Sequence, residues 1–156
     1  MNTPLTILVA QQELGDALLL QRAFNTAKVS TPVHFARDGQ EVLDYLEGKP
    51  PFQNPIIHPL PALLILDLNL PRVDGYQVLR WLRLNPGLHD MIVVVFGSSQ
   101  DAKDVRRAYS LGANSYIVKP KEPQQLVKIV KQLQEYWLGI NPSQEQPQQA
   151  LTVVPD

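Results

Sequence analysis

Five short apolar runs, each followed by an amphipathic stretch, limit the folds open to this chain more than any other feature. The runs are Leu5–Ala10 (LTILVA), Pro32–Ala36 (PVHFA), Ala62–Asp67 (ALLILD), Met91–Phe96 (MIVVVF) and Ser115–Val118 (SYIV). Three are almost continuously apolar and rich in β-branched residues or leucine, the signature of parallel strands covered on both faces. Between them the apolar spacing is helical. Leu19, Leu20, Ala23, Phe24 and Ala27 mark a first helix, and Glu41–Leu46 a short second one behind Asp38-Gly39. Tyr76–Leu84 carries Val78, Leu79 and Leu82 on one face, and Asp101–Leu111 follows as a fourth helix. Pro123–Leu138 is the fifth, with Leu126, Ile129, Val130, Leu133 and Trp137 in one stripe. Strands alternating with helices in this way predict right-handed βαβ units, hence an α/β, flavodoxin-like (βα)5 doubly wound parallel sheet in the order 2-1-3-4-5.

Two segments fall outside the rhythm. Gly48–Pro61 (GKPPFQNPIIHPLP) holds five prolines and is expected to be an ordered, helix-free loop. From Gly139 the tail is rich in Gln and Pro and carries no core pattern. The chain therefore reads as one domain over residues 1–138 with a flexible C-terminal tail over 139–156.

Charge and composition narrow the function classes. Lys and Arg nearly balance Asp and Glu, for a net charge of −1, so no global basic field for nucleic acid is present. There is no cysteine, which excludes disulfides and thiolate chemistry. The N-terminus has no signal-peptide pattern, and MIVVVF is far too short to cross a bilayer. A cytoplasmic protein without nucleic-acid or membrane partners is expected.

In a doubly wound sheet, function gathers at the carboxyl ends of the central strands. The third strand ends in Asp67-Leu68-Asn69-Leu70-Pro71 and the fifth in Tyr116-Ile117-Val118-Lys119-Pro120. A carboxylate and an ammonium at neighbouring strand ends suit receipt of a phosphoryl group. The carboxylate is the nucleophile and the cation holds the transferred oxygens.

LLILDLNLPRVDGYQVL and GANSYIVKP, set in this five-fold rhythm, resemble the receiver domain of two-component response regulators over about Leu5 to Leu138. The proline-rich loop and the EYWL ending resemble the stand-alone regulators that partner cyanobacterial phytochromes. The resemblance implies that Asp67 is the phosphoacceptor and that Lys119 contacts phosphate. It implies a backbone carbonyl from Asn69 for Mg2+, and Tyr116 as the aromatic that changes rotamer on activation. It also implies a cis bond before Pro120. The partner implied is a sensor histidine kinase, and the sub-family resemblance implies one of the phytochrome type. The output implied is protein contact, with a homodimer through the fourth helix, fifth strand and fifth helix near Tyr136-Trp137-Leu138. No catalytic residue set is expected; the chain is not read as an enzyme.

The sequence departs from the family at two places. Gln11 and Gln12 stand where the family has its Mg2+-binding acidic pair, and Gly97 stands where it has a switch Thr or Ser, with Ser98 one residue later. Mg2+ prefers hard anionic oxygen. Unit charges about 4 Å apart attract by roughly 4 kcal/mol at an effective dielectric of about 20. If only ~1.4 kcal/mol survives desolvation, each lost carboxylate costs about tenfold in affinity. Weak metal binding and impaired phosphotransfer are expected. Glu13 is one residue too late to help, and Asp16 is assigned to the first turn of a helix, where its charge suits the dipole.

Plainer roles stand beside these. Gln11 and Gln12 are assigned to helix capping or loop hydrogen bonds. His34, His58 and His89 have no metal spacing and are read as structural or exposed. Trp81 and Trp137 are amphipathic helix residues, either able to anchor a partner. One rival reading is a pseudo-receiver, an interaction module independent of phosphorylation. A more distant one is a flavodoxin-like cofactor enzyme, which would need a phosphate-binding loop that AQQELGD does not supply.

Overall fold

Continuous apolar runs can be covered on both faces only when helices pack on each side of a parallel sheet, and this is the arrangement found. The computed structural model describes residues 5–138 and 151–153. The strands are β1 (Ile7–Ala10), β2 (Val33–Ala36), β3 (Leu63–Leu66), β4 (Ile92–Gly97), β5 (Ser115–Val118) and β6 (Leu151–Val153). The helices are α1 (Leu14–Thr26), α2 (Gly39–Glu47), α3 (Gly75–Leu84), α4 (Ala102–Ser110) and α5 (Pro123–Leu133), the last continuing into a π-helical turn at Gln134–Leu138. All strand pairs are parallel, in the order β2-β1-β3-β4-β5-β6. The expected 2-1-3-4-5 order is thus present, and Leu151–Val153 extend it by a sixth strand beside β5. The rest of the segment expected to be a flexible tail lies outside the described residues.

The sheet separates two apolar layers. Leu8, Leu64, Leu66, Val93, Val95 and Tyr116 face α2, α3 and α4 together with Val42, Val78, Leu79, Leu82 and Ala108. Ile7, Val9, Ile65, Val94, Phe96 and Ile117 face α1 and α5, against Leu20, Phe24, Ile129, Val130 and Leu133. Trp137 is buried in this second layer and donates its indole N–H to Ser115 Oγ at 3.2 Å. It is therefore core, not the exposed partner anchor the sequence allowed.

Helix starts follow side-chain chemistry. Asp74 accepts from Gln77 N–H while the Gln77 side chain accepts from Asp74 N–H, a reciprocal box that fixes where α3 begins. Asp38 caps α2, and Gly48 ends it at φ 70°, a left-handed conformation that favours glycine. The proline-rich loop is helix-free, as expected. Phe52 and His58 pack against Tyr45 and His34, and Tyr45 Oη donates to Pro59 O at 3.0 Å. The cis bond among the described residues is Pro50–Pro51, not the one before Pro120.

Candidate phosphoacceptor site

The sheet register brings the predicted residues together. Ala10 pairs with Leu66 and Leu66 with Val95, so Gln11 and Asp67 leave neighbouring strands at the same level. Asp67 N–H donates to Ala10 O at 3.1 Å, and Gln11 N–H to Ala36 O at 3.0 Å. Lys119 N–H donates to Gly97 O at 2.8 Å, which holds the end of β5 against the end of β4. These bonds continue the parallel ladders one residue beyond the strands and make the carboxyl edge rigid.

Asp67 is buried, with both carboxylate oxygens engaged. Oδ1 accepts from Asn69 N–H at 3.0 Å, and Oδ2 accepts from Lys119 Nζ at 2.6 Å. The short distance marks a charge-assisted bond in a site largely closed to water. The backbone around Asp67 is fixed by Gly75, whose N–H donates to Leu68 O at 3.0 Å. A Cβ at residue 75 would lie 2.6 Å from Asp67 O, so only glycine permits this approach.

Lys119 has two further partners. Its ammonium lies 3.4 Å from Asp16 Oδ2 and 3.5 Å from Gln11 Oε1. Asp16 is the residue that sequence reasoning set aside. It does sit in the first turn of α1, but the helix turns its carboxylate back toward the strand ends. The available signal was helical phase: the third residue of a helix that follows β1 so closely can face the sheet edge.

The two glutamines separate. Gln11 is buried, and its Nε2 has no hydrogen-bond partner. Gln12 is exposed and lines a cavity of about 470 Å3 with Asn69, Pro71, Asp74, Tyr76 and Arg107. Neither side chain serves as a helix cap in α1, whose N-cap is Glu13 without a side-chain cap bond.

A divalent cation here would meet four oxygen donors of mixed character. Asp67 is already neutralised by Lys119, Gln11 offers an amide, Asp16 is partly exposed, and Asn69 could add its carbonyl. Among the described residues no group of three or more His, Cys, Asp or Glu could hold a metal ion.

Gly97 is the last residue of β4 rather than the first of the following loop, and Ser98 is exposed. Tyr116 is wholly buried and donates its hydroxyl to Ser99 O at 2.9 Å. His34 and His58 belong to the aromatic cluster at the proline-rich loop, and His89 is exposed beside Asp90, so none of the three enters the site.

The sequence model of the response regulator receiver domain matches residues 7–131. The chain belongs to that family. This receiver domain is 38% identical to FilR2 of Methanothrix harundinacea, described as a probable methanogenesis regulatory protein, over 90% of this chain and 88% of that one. It is 33% identical to the response regulator Rcp1 of Synechocystis, over 88% of this chain and 91% of Rcp1. A Mn2+-bound crystal structure of Rcp1 superposes with a TM-score of 0.78 at 31% identity, covering 92% and 99% of the two chains. The phosphorylated cyanobacterial phytochrome response regulator RcpA superposes with a TM-score of 0.81 at 34% identity, covering 90% and 100%. The receiver domain is thus a two-component signalling module related to phytochrome response regulators. No helix among its described residues is long and apolar enough to cross a membrane.

Proposed function

We propose that this receiver domain accepts a phosphoryl group on Asp67 from a sensor histidine kinase, slowly and with little help from a divalent cation, and signals by protein contact. The observation that carries this reading is the Asp67–Lys119 bond at 2.6 Å beside a buried glutamine. Oδ2 must leave Lys119 to attack phosphorus. As the new O–P bond forms, the P–N bond to the kinase imidazole breaks, and that nitrogen keeps the electron pair. Lys119 then faces the phosphoryl oxygens instead of the bare carboxylate.

Metal assistance is expected to be weak because Gln11 and Gln12 replace anionic ligands. The phosphorylated RcpA and Mn2+-bound Rcp1 structures support phosphoryl and metal chemistry in relatives, which carry the same fold. Their similarity also supports a phytochrome-type kinase as the donor. A homodimer on the side of α4, β5 and α5 would rest on the outer faces of the two helices and on the half-buried Tyr136, since β6 lies along the edge of β5 and Trp137 is occupied in the core.

A second reading, a phosphorylation-independent interaction module, draws on the same ion pair: Asp67 is already satisfied without a phosphoryl group. Intact mass after incubation with phosphoramidate separates the two. One added phosphoryl, lost in Asp67→Asn, supports phosphotransfer; an unchanged mass at any donor concentration leaves the interaction module.

A further inference from the structure

Two side-chain atoms among the described residues are buried without a hydrogen-bond partner: His58 Nδ1, in the aromatic cluster of the proline-rich loop, and Gln11 Nε2. The second lies beside the phosphoacceptor. Gln11 is 3% exposed, and the bond from its backbone N–H to Ala36 O holds it at the carboxyl edge of the sheet, level with Asp67. Its Oε1 faces Lys119 Nζ at 3.5 Å, and Nε2 stands about 2.2 Å from Oε1 across the same amide. Turning the amide over would set a donor against the ammonium, so the chemistry of the pair leaves Nε2 as the unpaired end. A buried donor left unpaired costs stability and calls for a reason. The Asp67 oxygens do not supply it, since Oδ1 accepts from Asn69 N–H and Oδ2 from Lys119. A phosphoryl group on Oδ2 would bring three anionic acceptor oxygens to this ion pair. Gly97 has no hydroxyl to offer them, and Ser98 is exposed.

We propose that Gln11 binds the transferred phosphoryl group: its Nε2 donates a hydrogen bond to one phosphoryl oxygen while Lys119 holds another. The inference rests on the proposed phosphotransfer to Asp67 and assigns part of the charge stabilisation there to this chain's own amide rather than to a cation. The ammonium beside Oε1 polarises the amide and strengthens the donor at its other end. With phosphoramidate as the donor, an electron pair of Asp67 Oδ2 forms the O–P bond as the P–N bond breaks. The nitrogen keeps that bond's electron pair and leaves as ammonia. The phosphoryl oxygens carry negative charge throughout, and a donor already in place and closed off from water stabilises them without reorganisation. The N–H that stands unpaired in the free protein is the one the phosphorylated protein uses.

The test follows intact mass of the full chain with phosphoramidate, in EDTA and in Mg2+, with Asp67→Asn as the blank. The wild type should gain one phosphoryl in both arms. In EDTA the initial rate should fall at least about tenfold in Gln11→Met, which keeps the length of the side chain and loses the donor. Urea unfolding of the unphosphorylated chain should find Gln11→Met no less stable than the wild type, because the variant removes an unpaired donor. A merely structural glutamine would cost stability instead. Equal rates in EDTA overturn the inference alone, as does a wild-type adduct that forms only with Mg2+ or a slower rate that accompanies a loss of stability. No adduct on the wild type in either arm overturns the proposed function and this inference with it. Should Gln11→Met not fold, NMR of the wild type replaces it. One of the two Gln11 Nε2 protons should then move downfield on phosphorylation, and two unmoved protons overturn the inference.

Discussion

If the proposed function is right, placing acids at 11 and 12 should make the site bind Mg2+ more tightly. In Gln11→Asp/Gln12→Asp the new carboxylate at 11 would join Asp67 around one ammonium, since Lys119 Nζ lies 2.6 Å from Asp67 Oδ2 and 3.5 Å from the Gln11 amide oxygen. Two carboxylates so bridged lie at most roughly 6 Å apart and repel by about 3 kcal/mol at an effective dielectric of about 20. Residue 11 is buried, so desolvation adds to this. The metal-free variant should therefore be less stable than the wild type. A divalent cation reverses the sign. At about tenfold per acid, the double variant binds Mg2+ about 100-fold more tightly. With a wild-type Kd on the order of 10 mM, 10 mM Mg2+ stabilises the wild type by about 0.4 kcal/mol and the variant by about 2.7 kcal/mol. For a chain of this size that difference corresponds to roughly 5–10 °C in Tm. Scanning calorimetry with and without Mg2+ at matched ionic strength reads it directly. A wild-type Tm that rises as much as the variant's would refute the reasoning, because the amides would then not weaken the site.

Lys119→Met should cost about 3 kcal/mol in urea unfolding by leaving the buried Asp67 carboxylate unpaired, and adding Asp67→Asn should recover most of that loss. Acid should destabilise the fold through His34: burial, and secondarily His58, lower its pKa from 6.5. The unfolded chain therefore binds more protons near pH 6 than the folded one. Stability from this group is present above about pH 6.5 and lost as pH falls below it. Tm measured from pH 7 down to about pH 5 should fall less steeply in His34→Gln than in the wild type.

The sheet was legible in the sequence for a physical reason. Strands buried on both faces cannot alternate, so ALLIL and MIVVVF stand out against their amphipathic neighbours. Asp67 and Lys119 were legible because a single charge directly after such a run must lie at the sheet's rim. Other features needed three dimensions. Asp16 joins Lys119 through the rotation of α1: helical phase lets it face the sheet edge, but only the placement of β5 brings Lys119 to it. The packing of Tyr116 over Gly97 is a contact between diagonal neighbours on adjacent strands, visible only once the register is set. Trp137 offered an apolar surface that composition alone could assign to an interface or to the core. Its indole bond to Ser115 decides for the core. The sixth strand follows a Gln- and Pro-rich stretch with no periodicity, so Leu151–Val153 gave too short a signal to read.

The central claim is that Asp67 takes a phosphoryl group at a site that barely engages metal. The most direct measurement is intact mass against time with phosphoramidate as Mg2+ is raised, with Asp67→Asn alongside. The account predicts a single adduct absent from Asp67→Asn, forming slowly and still gaining rate at about 10 mM Mg2+ without saturation. An adduct whose rate saturates well below about 1 mM Mg2+ would contradict the account, as the site would then bind metal tightly despite its glutamines.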